Sequence, residues 1–243
     1  MDNSLYIAIS RQSALKDQMS LVANNIANMN TAGYRSQNVL FQEHLAQQSS
    51  IADINDDLSL VQNYGQYDDH APGPVKVTGN PLDIALNGPG FLGVVTPNGV
   101  EYTRAGNLSV NSAGELITAS GYQVANAGGA PINIPDNEGN ITIGSDGSIS
   151  AGNGVIDDLM IAEFDNYQLL TPQGNGLYKT SEEALPAATT SIMQGAIEGS
   201  NVNPILEMTR MIEISRNYQS SQRFIQNEHD LQRDSIKTLS KVQ

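Results

Sequence analysis

Residues 201–243 contain one proline, Pro204, and no glycine, so a single helix can run from there to the end of the sequence. At about 1.5 Å per residue such a helix extends over roughly 60 Å, further than one helix of a small compact domain needs. Its start is well specified. Asn203 can cap it, Pro204 suits the first helical position because its missing N–H would be unpaired there anyway, and Glu207 sits near the positive end of the dipole. Lys237 and Lys241 fall at the opposite end. The acid-to-base pairs Glu207/Arg210, Glu213/Arg216, Asp230/Arg233 and Asp234/Lys237 each add a few tenths of a kcal/mol on a solvated face. The expected seam, Met208, Met211, Ser215, Tyr218, Gln222, Ile225, His229, Gln232, Ile236 and Leu239, alternates apolar with polar residues, which a two-stranded coiled coil buries poorly. Ile205, Ile212, Ile214 and Val242 fall off that seam. Apolar contacts therefore spread over more than one stripe, as in a helix with several neighbours; the alternative is a terminal helix folded on its own domain.

A second seam occupies residues 4–29, with Leu5, Ala8, Gln12, Leu15, Met19, Val22, Ile26 and Met29 at 3-4 spacing and only Gln12 polar. Asn3 or Ser4 can cap this helix, and Thr31-Ala32-Gly33 supplies the stop, Gly33 being free to turn left-handed. Both ends of the sequence thus read as helices and the middle does not. From Gln37 to about Val75 a short amphipathic stretch around Leu40, Phe41 and Leu45 gives way to Ile51–Asp57 and the cluster Ala71-Pro72-Gly73-Pro74, which predicts extended or loop structure. Between Val75 and Ile197 short alternating segments, such as Leu82–Leu86, Phe91–Val95, Val100–Arg104 and Leu159–Phe164, are separated by Gly/Asn/Pro turns. That pattern predicts an antiparallel β-domain.

The expected fold class is α+β: N- and C-terminal helices paired as a coiled-coil-like stalk, with an inserted antiparallel all-β domain. The expected boundaries are 1–35 for the first helix, 36–75 for an extended connector, 76–197 for the β-domain and 198–243 for the second helix.

Charge separates the same regions. The net charge is −14, yet residues 1–35 hold three basic and two acidic groups and residues 201–243 hold six and five, whereas residues 36–200 hold three and nineteen. The nearly neutral ends can crowd together; the acidic middle makes nucleic acid an unsuitable partner. Cysteine is absent, which excludes disulfides, thiolate metal sites and cysteine nucleophiles. No apolar run approaches 18 residues, so no membrane insertion is expected, and no basic, apolar and small-residue sequence of a secretory leader opens the chain.

Chemistry-bearing motifs are few. Gly88-Pro89-Gly90-Phe91-Leu92-Gly93 matches the dinucleotide pattern, but Val94-Val95-Thr96-Pro97 continues as strand and turn where a helix should begin. His44, His70 and His229 lack metal-ligand spacing. Asp136–Asn140 faintly resembles a calcium loop but lacks its sixth-place glycine and distant glutamate. The pairs Asp56-Asp57, Asp157-Asp158 and Glu182-Glu183 read as charged surface. No cofactor, small-molecule substrate or catalysis is expected. One cluster stands apart: Asn24, Asn25, Asn28 and Asn30 crowd the end of a helix they disfavour. Asn24 and Asn28, four apart, predict a polar stripe whose amides fix register between chains.

Around that cluster, Ala23-Asn24-Asn25-Ile26-Ala27-Asn28 followed by Thr31-Ala32-Gly33-Tyr34-Arg35 resembles the N-terminal signature of the bacterial flagellar axial family of rod and hook proteins. Gly90-Phe91, Tyr102-Thr103-Arg104, Gly106-Asn107 and Gly121-Tyr122 are similar to the family's central β-domain pattern. Glu198-Gly199-Ser200-Asn201-Val202 with Glu207-Met208-Thr209 and Met211-Ile212 is similar to its C-terminal signature. Met1–Ala8 and Asn80-Pro81-Leu82-Asp83 look most like the proximal-rod members, with distal-rod or hook-type members next; Leu92 and Leu108 stand where aromatics are common. The resemblance implies a structural subunit, exported by the flagellar type III apparatus without signal cleavage, whose partners are copies of itself and other rod proteins. It places the assembly interface on Leu15, Val22, Asn24, Asn25, Ile26, Asn28, Thr31, Gly33 and Tyr34, and on Asn201, Val202, Met208, Met211, Ile212, Tyr218 and Ile225. The rival from another class is a secreted β-domain binding module; a carbohydrate-active enzyme is more distant.

Overall fold

The computed structural model describes residues 2–46, 58–135, 141–152 and 154–240. They form two compact units, one of residues 2–27, 37–46, 58–69 and 203–240, the other of residues 28–36, 70–135, 141–152 and 154–202. The stretch Ile51–Asp57, the Asp136–Asn140 loop, Lys241 and Val242 lie outside the described residues.

The first unit holds helices α1 (Asp2–Ala27) and α2 (Pro204–Ser240) and strands β1 (Gln37–Ala46) and β2 (Leu58–Asp68). At 37 residues α2 is about 55 Å long. Its cap is the expected one, with Asn203 Oδ1 accepting from the Ile205 and Leu206 amides at 3.2 and 3.3 Å. The Glu207–Arg210 and Asp234–Lys237 pairs close at 2.7 and 3.5 Å.

The helices run antiparallel, since the Ser221 hydroxyl donates to the Ala8 carbonyl at 3.4 Å while Glu207, near the start of α2, lies 3.4 Å from Asn25, near the end of α1. On α1 the expected seam is the covered face: Ala8, Leu15 and Val22 are buried, and Leu5, Gln12, Met19 and Ile26 half-buried. On α2 the covered face is displaced by one residue at alternate positions. Glu207, Met211, Ile214, Tyr218, Ser221, Ile225, Glu228 and Gln232 are buried or half-buried, while Met208, Gln222 and His229 are exposed. Ile214 lies on this seam, contrary to the expectation. The reason is polar: Glu207 and Ser221 face α1 because Asn25 and the Ala8 carbonyl hydrogen-bond them there. A hydropathy pattern assigns those places to Met208 and Gln222 instead.

Within the expected extended connector, the described residues 37–46 and 58–68 form a two-stranded ribbon. β1 and β2 pair antiparallel from Gln37↔Asp68 to Ala46↔Leu58, with one bulge at Leu40/Phe41, and the ribbon packs on α1. Two strands alone are marginally stable in water, so this apposition supplies the ribbon's support.

The second unit is the expected antiparallel β-domain. Its largest sheet runs Thr171–Gly174, Leu177–Lys179, Gly99–Thr103, Phe91–Thr96, Gln123–Val124, Leu116–Thr118 and Leu108–Val110, and Ile161–Glu163 also pairs with Phe91–Thr96. Strand Phe91–Thr96 runs where a nucleotide fingerprint needs a helix; Gly88 and Gly90 lie in the turn before it, whereas Gly93 is a buried strand residue paired with Tyr102. Successive side chains of this strand leave on opposite sides. Leu92 joins an aliphatic core with Ile84, Leu116, Ile132 and Ile149, whereas Phe91 joins an aromatic cluster with Tyr102, Phe164 and Tyr178. Strand Ala196–Glu198 pairs with Val75–Val77, Glu198 opposite Val75. The points where the chain enters and leaves the domain are therefore neighbours, as in a domain inserted between two chain ends.

Candidate assembly interface

Each unit contains one buried polar construction. In the first unit Asn25 is 1% exposed. Its Nδ2 donates to the Gln37 carbonyl at 2.9 Å and its Oδ1 accepts from the Gln37 amide at 3.0 Å, so the side chain pairs the first residue of β1 as another strand would. The same Nδ2 lies 3.4 Å from Glu207 Oε2, and Arg210 donates to Glu207 Oε1 at 2.7 Å. One amide thus ties together α1, β1 and α2.

In the second unit Glu198, 1% exposed, accepts from Arg35 at 2.8 Å, from Arg104 at 3.4 Å and from the Gly73 amide at 2.9 Å. Arg35 also donates to the Ala71 carbonyl, and Arg104 to the carbonyls of Leu86 and Gly88 at 3.4 and 2.6 Å. Burial pushes the Arg104 guanidinium down to about 10; the Glu198 carboxylate opposes that fall and the Arg35 cation adds to it. Asn201 completes the clasp, its Oδ1 accepting from the Ser36 amide at 2.7 Å and its Nδ2 donating to the Ala71 carbonyl at 3.0 Å. Gly33 has φ +67°, and a Cβ there would stand 2.4 Å from the Arg104 carbonyl carbon, so only glycine fits.

The expected interface residues divide by exposure. Leu15, Val22 and Asn25 are buried in the first unit, and Gly33 and Val202 in the second. Ile26, Asn28, Tyr34, Asn201, Met211, Tyr218 and Ile225 are half-buried, and Asn24 and Thr31 exposed. Because α1 ends at Ala27, Asn28 lies beyond it and shares no helical face with Asn24; the Thr31 amide caps back to the Asn28 carbonyl at 3.1 Å. Met208 and Ile212 are 48% and 54% exposed, in company with Ile205 at 79%, Phe224, Leu231 and Ile236 on α2 and Tyr6, Ile7 and Ile9 on α1. A soluble surface seldom carries this many large apolar side chains on two helices.

Family profiles match the chain in three blocks. Residues 5–35 match "Flagella basal body rod protein", residues 85–151 "Flagellar hook protein FlgE/F/G D1 domain", and residues 193–238 "Flagellar basal body rod FlgEFG protein C-terminal". The flagellar basal-body rod protein FlgF of Caulobacter vibrioides is 34% identical over 244 residues, covering all of both chains. The chain belongs to the flagellar basal-body rod protein family. It is a structural subunit of the rod, α+β in fold. FlgF of Mesorhizobium japonicum is also 34% identical, over 98% of each chain, and the rod protein FlgG of Bacillus subtilis 31% identical over 97% of this chain and 98% of its own.

Seen in this rod-protein family, the signature residues have distinct tasks. Gly33, Arg35, Glu198 and Asn201 close the β-domain on itself. Arg35 and Glu198 were overlooked as site residues in the sequence because neither carries its partner nearby. Their places inside the two terminal signatures were the available signal. Asn25→Ala is expected to lower the stability of the first unit by about 1–3 kcal/mol, the penalty for stranding its buried partners. Urea unfolding together with faster hydrogen exchange at the Gln37 amide measures it; unchanged values for both would show that the amide carries no structural weight.

Proposed function

We propose that this rod subunit assembles helically through its two terminal helices, paired as a coiled-coil-like stalk, in the proximal part of the rod. The exposed apolar residues of α2, above all Ile205, Met208 and Ile212, carry this reading, because a single chain leaves them in water. Near-neutral ends favour close packing of many copies, and the acidic middle favours a place outside that packing. In this arrangement residues 1–35 and 198–243 form the axial layer, 36–75 connect, and 76–197 stand outside. Partners are further copies and other rod proteins, delivered through the flagellar type III export apparatus; the role is mechanical rather than catalytic. The contacts are heterologous and need not close, so other subunit types limit copy number.

The natural absence of cysteine makes a direct test simple. Single substitutions Met208→Cys and Ile212→Cys are expected to react with maleimide in the purified chain and to resist it in isolated basal bodies. Val155→Cys, on the exposed surface of the β-domain, is expected to label freely. The reverse pattern, with helix positions labelled and position 155 protected, would overturn the proposal.

A further inference from the structure

The buried clasp of the second unit is unbalanced in charge. Two guanidiniums, Arg35 and Arg104, share one carboxylate, Glu198, among the described residues, and their side chains are only 2% and 5% exposed. Each also keeps a buried Nε with no hydrogen-bond partner. Both arginines line one small cavity of about 60 Å³, whose other walls are His70, Pro89, Phe91 and Tyr167. Phe91 lies against the Arg104 guanidinium at 4.9 Å, and the His70 and Tyr167 rings meet at a tilt with centroids 5.4 Å apart, so the cavity has an aromatic side and a cationic side.

We propose that this cavity binds one small monovalent anion of the size of chloride, which neutralises the surplus cation. A water molecule could satisfy one Nε but would leave the charge uncompensated, and an uncompensated buried charge is strongly destabilising. The volume admits one or two particles of water size, which suits a halide and excludes a bulky organic anion. Burial lowers the proton affinity of Arg104, Glu198 raises it, and Arg35 lowers it by a smaller amount, so the two guanidiniums do act on each other across the clasp. Arg35 belongs to the segment that follows α1, and Glu198 to the strand that precedes α2. The ion would therefore serve as a counter-charge holding the entry and exit segments of the β-domain together.

The test uses the purified full-length chain, melted in sodium gluconate progressively exchanged for sodium chloride at constant ionic strength. A saturable rise in melting temperature on the order of 4 °C is expected when chloride reaches about ten times its dissociation constant. Two variants should lose that response: Arg104→Gln, which removes the surplus charge, and Tyr167→Trp, which enlarges a wall of the cavity while keeping both arginines. Bromide-soaked crystals of the unaltered protein should give an anomalous peak between Arg35 and Arg104. Coincident melting in chloride and gluconate with no bromide peak would mean that only water occupies the cavity and would overturn the proposal. A chloride response that survives unchanged in a folded variant would overturn it as well. If Arg104→Gln does not fold, Tyr167→Trp and the bromide peak still decide.

Discussion

Glu198→Ala is expected to destabilise the second unit by about 3–5 kcal/mol, the loss typical of breaking a buried ion pair from one side. The magnitude follows from what the carboxylate does. It receives Arg35, Arg104 and the Gly73 amide inside the protein, and its removal deprives two buried guanidiniums of the one carboxylate that pairs them among the described residues. Their remaining bonds to the carbonyls of Ala71, Leu86 and Gly88 satisfy N–H groups but supply no net negative charge. Against a typical domain stability of about 5–15 kcal/mol this is a large fraction. Glu198→Gln keeps the shape and part of the hydrogen bonding, so its loss should be smaller. Urea denaturation followed by tyrosine fluorescence and far-UV circular dichroism gives both numbers. A midpoint for Glu198→Ala equivalent to within about 0.5 kcal/mol of the unaltered chain, the range of ordinary surface substitutions, would refute the role assigned to the clasp.

That clasp also marks where sequence reasoning ends. Periodicity exposed both helices because their patterns are long, and the Asn203-Pro204 start of α2 was legible because capping is local chemistry. The Gly/Asn turns made the antiparallel β-domain legible for the same reason. The β1–β2 ribbon was not, since its pairing depends on residues as far apart as Gln37 and Asp68 and on the support of α1. The α2 seam was misplaced because Glu207 and Ser221 are covered through hydrogen bonds that hydropathy does not register. Arg104 and Glu198 are 94 residues apart, and nothing in the spacing of two such charges announces a buried pair. Of the asparagines that crowd the end of α1, the one that the fold buries is Asn25, between Asn24 and Asn28.

The second large effect separates folding from assembly. In the double variant Met208→Asp, Ile212→Asp two apolar side chains on α2 become carboxylates at positions that are 48% and 54% exposed in the single chain. Neither belongs to the seam that faces α1, so the isolated protein should lose no more than about 0.5 kcal/mol each. In an assembled rod the balance is different. If neighbouring copies cover these positions, each subunit must bury two carboxylates without partners, and an ionised group in such surroundings is penalised by several kcal/mol. The penalty recurs in every copy, so cells carrying the variant should export it at normal levels and fail to swim. Replacement by asparagine at the same two sites removes the charge but keeps the polarity, and should give an intermediate phenotype. A thermal melt of the purified variant and a soft-agar motility assay are the paired measurements. Normal swimming with the double aspartate variant would show that this stripe of α2 stays in water in the rod, and would move the assembly surface to another face of the helix.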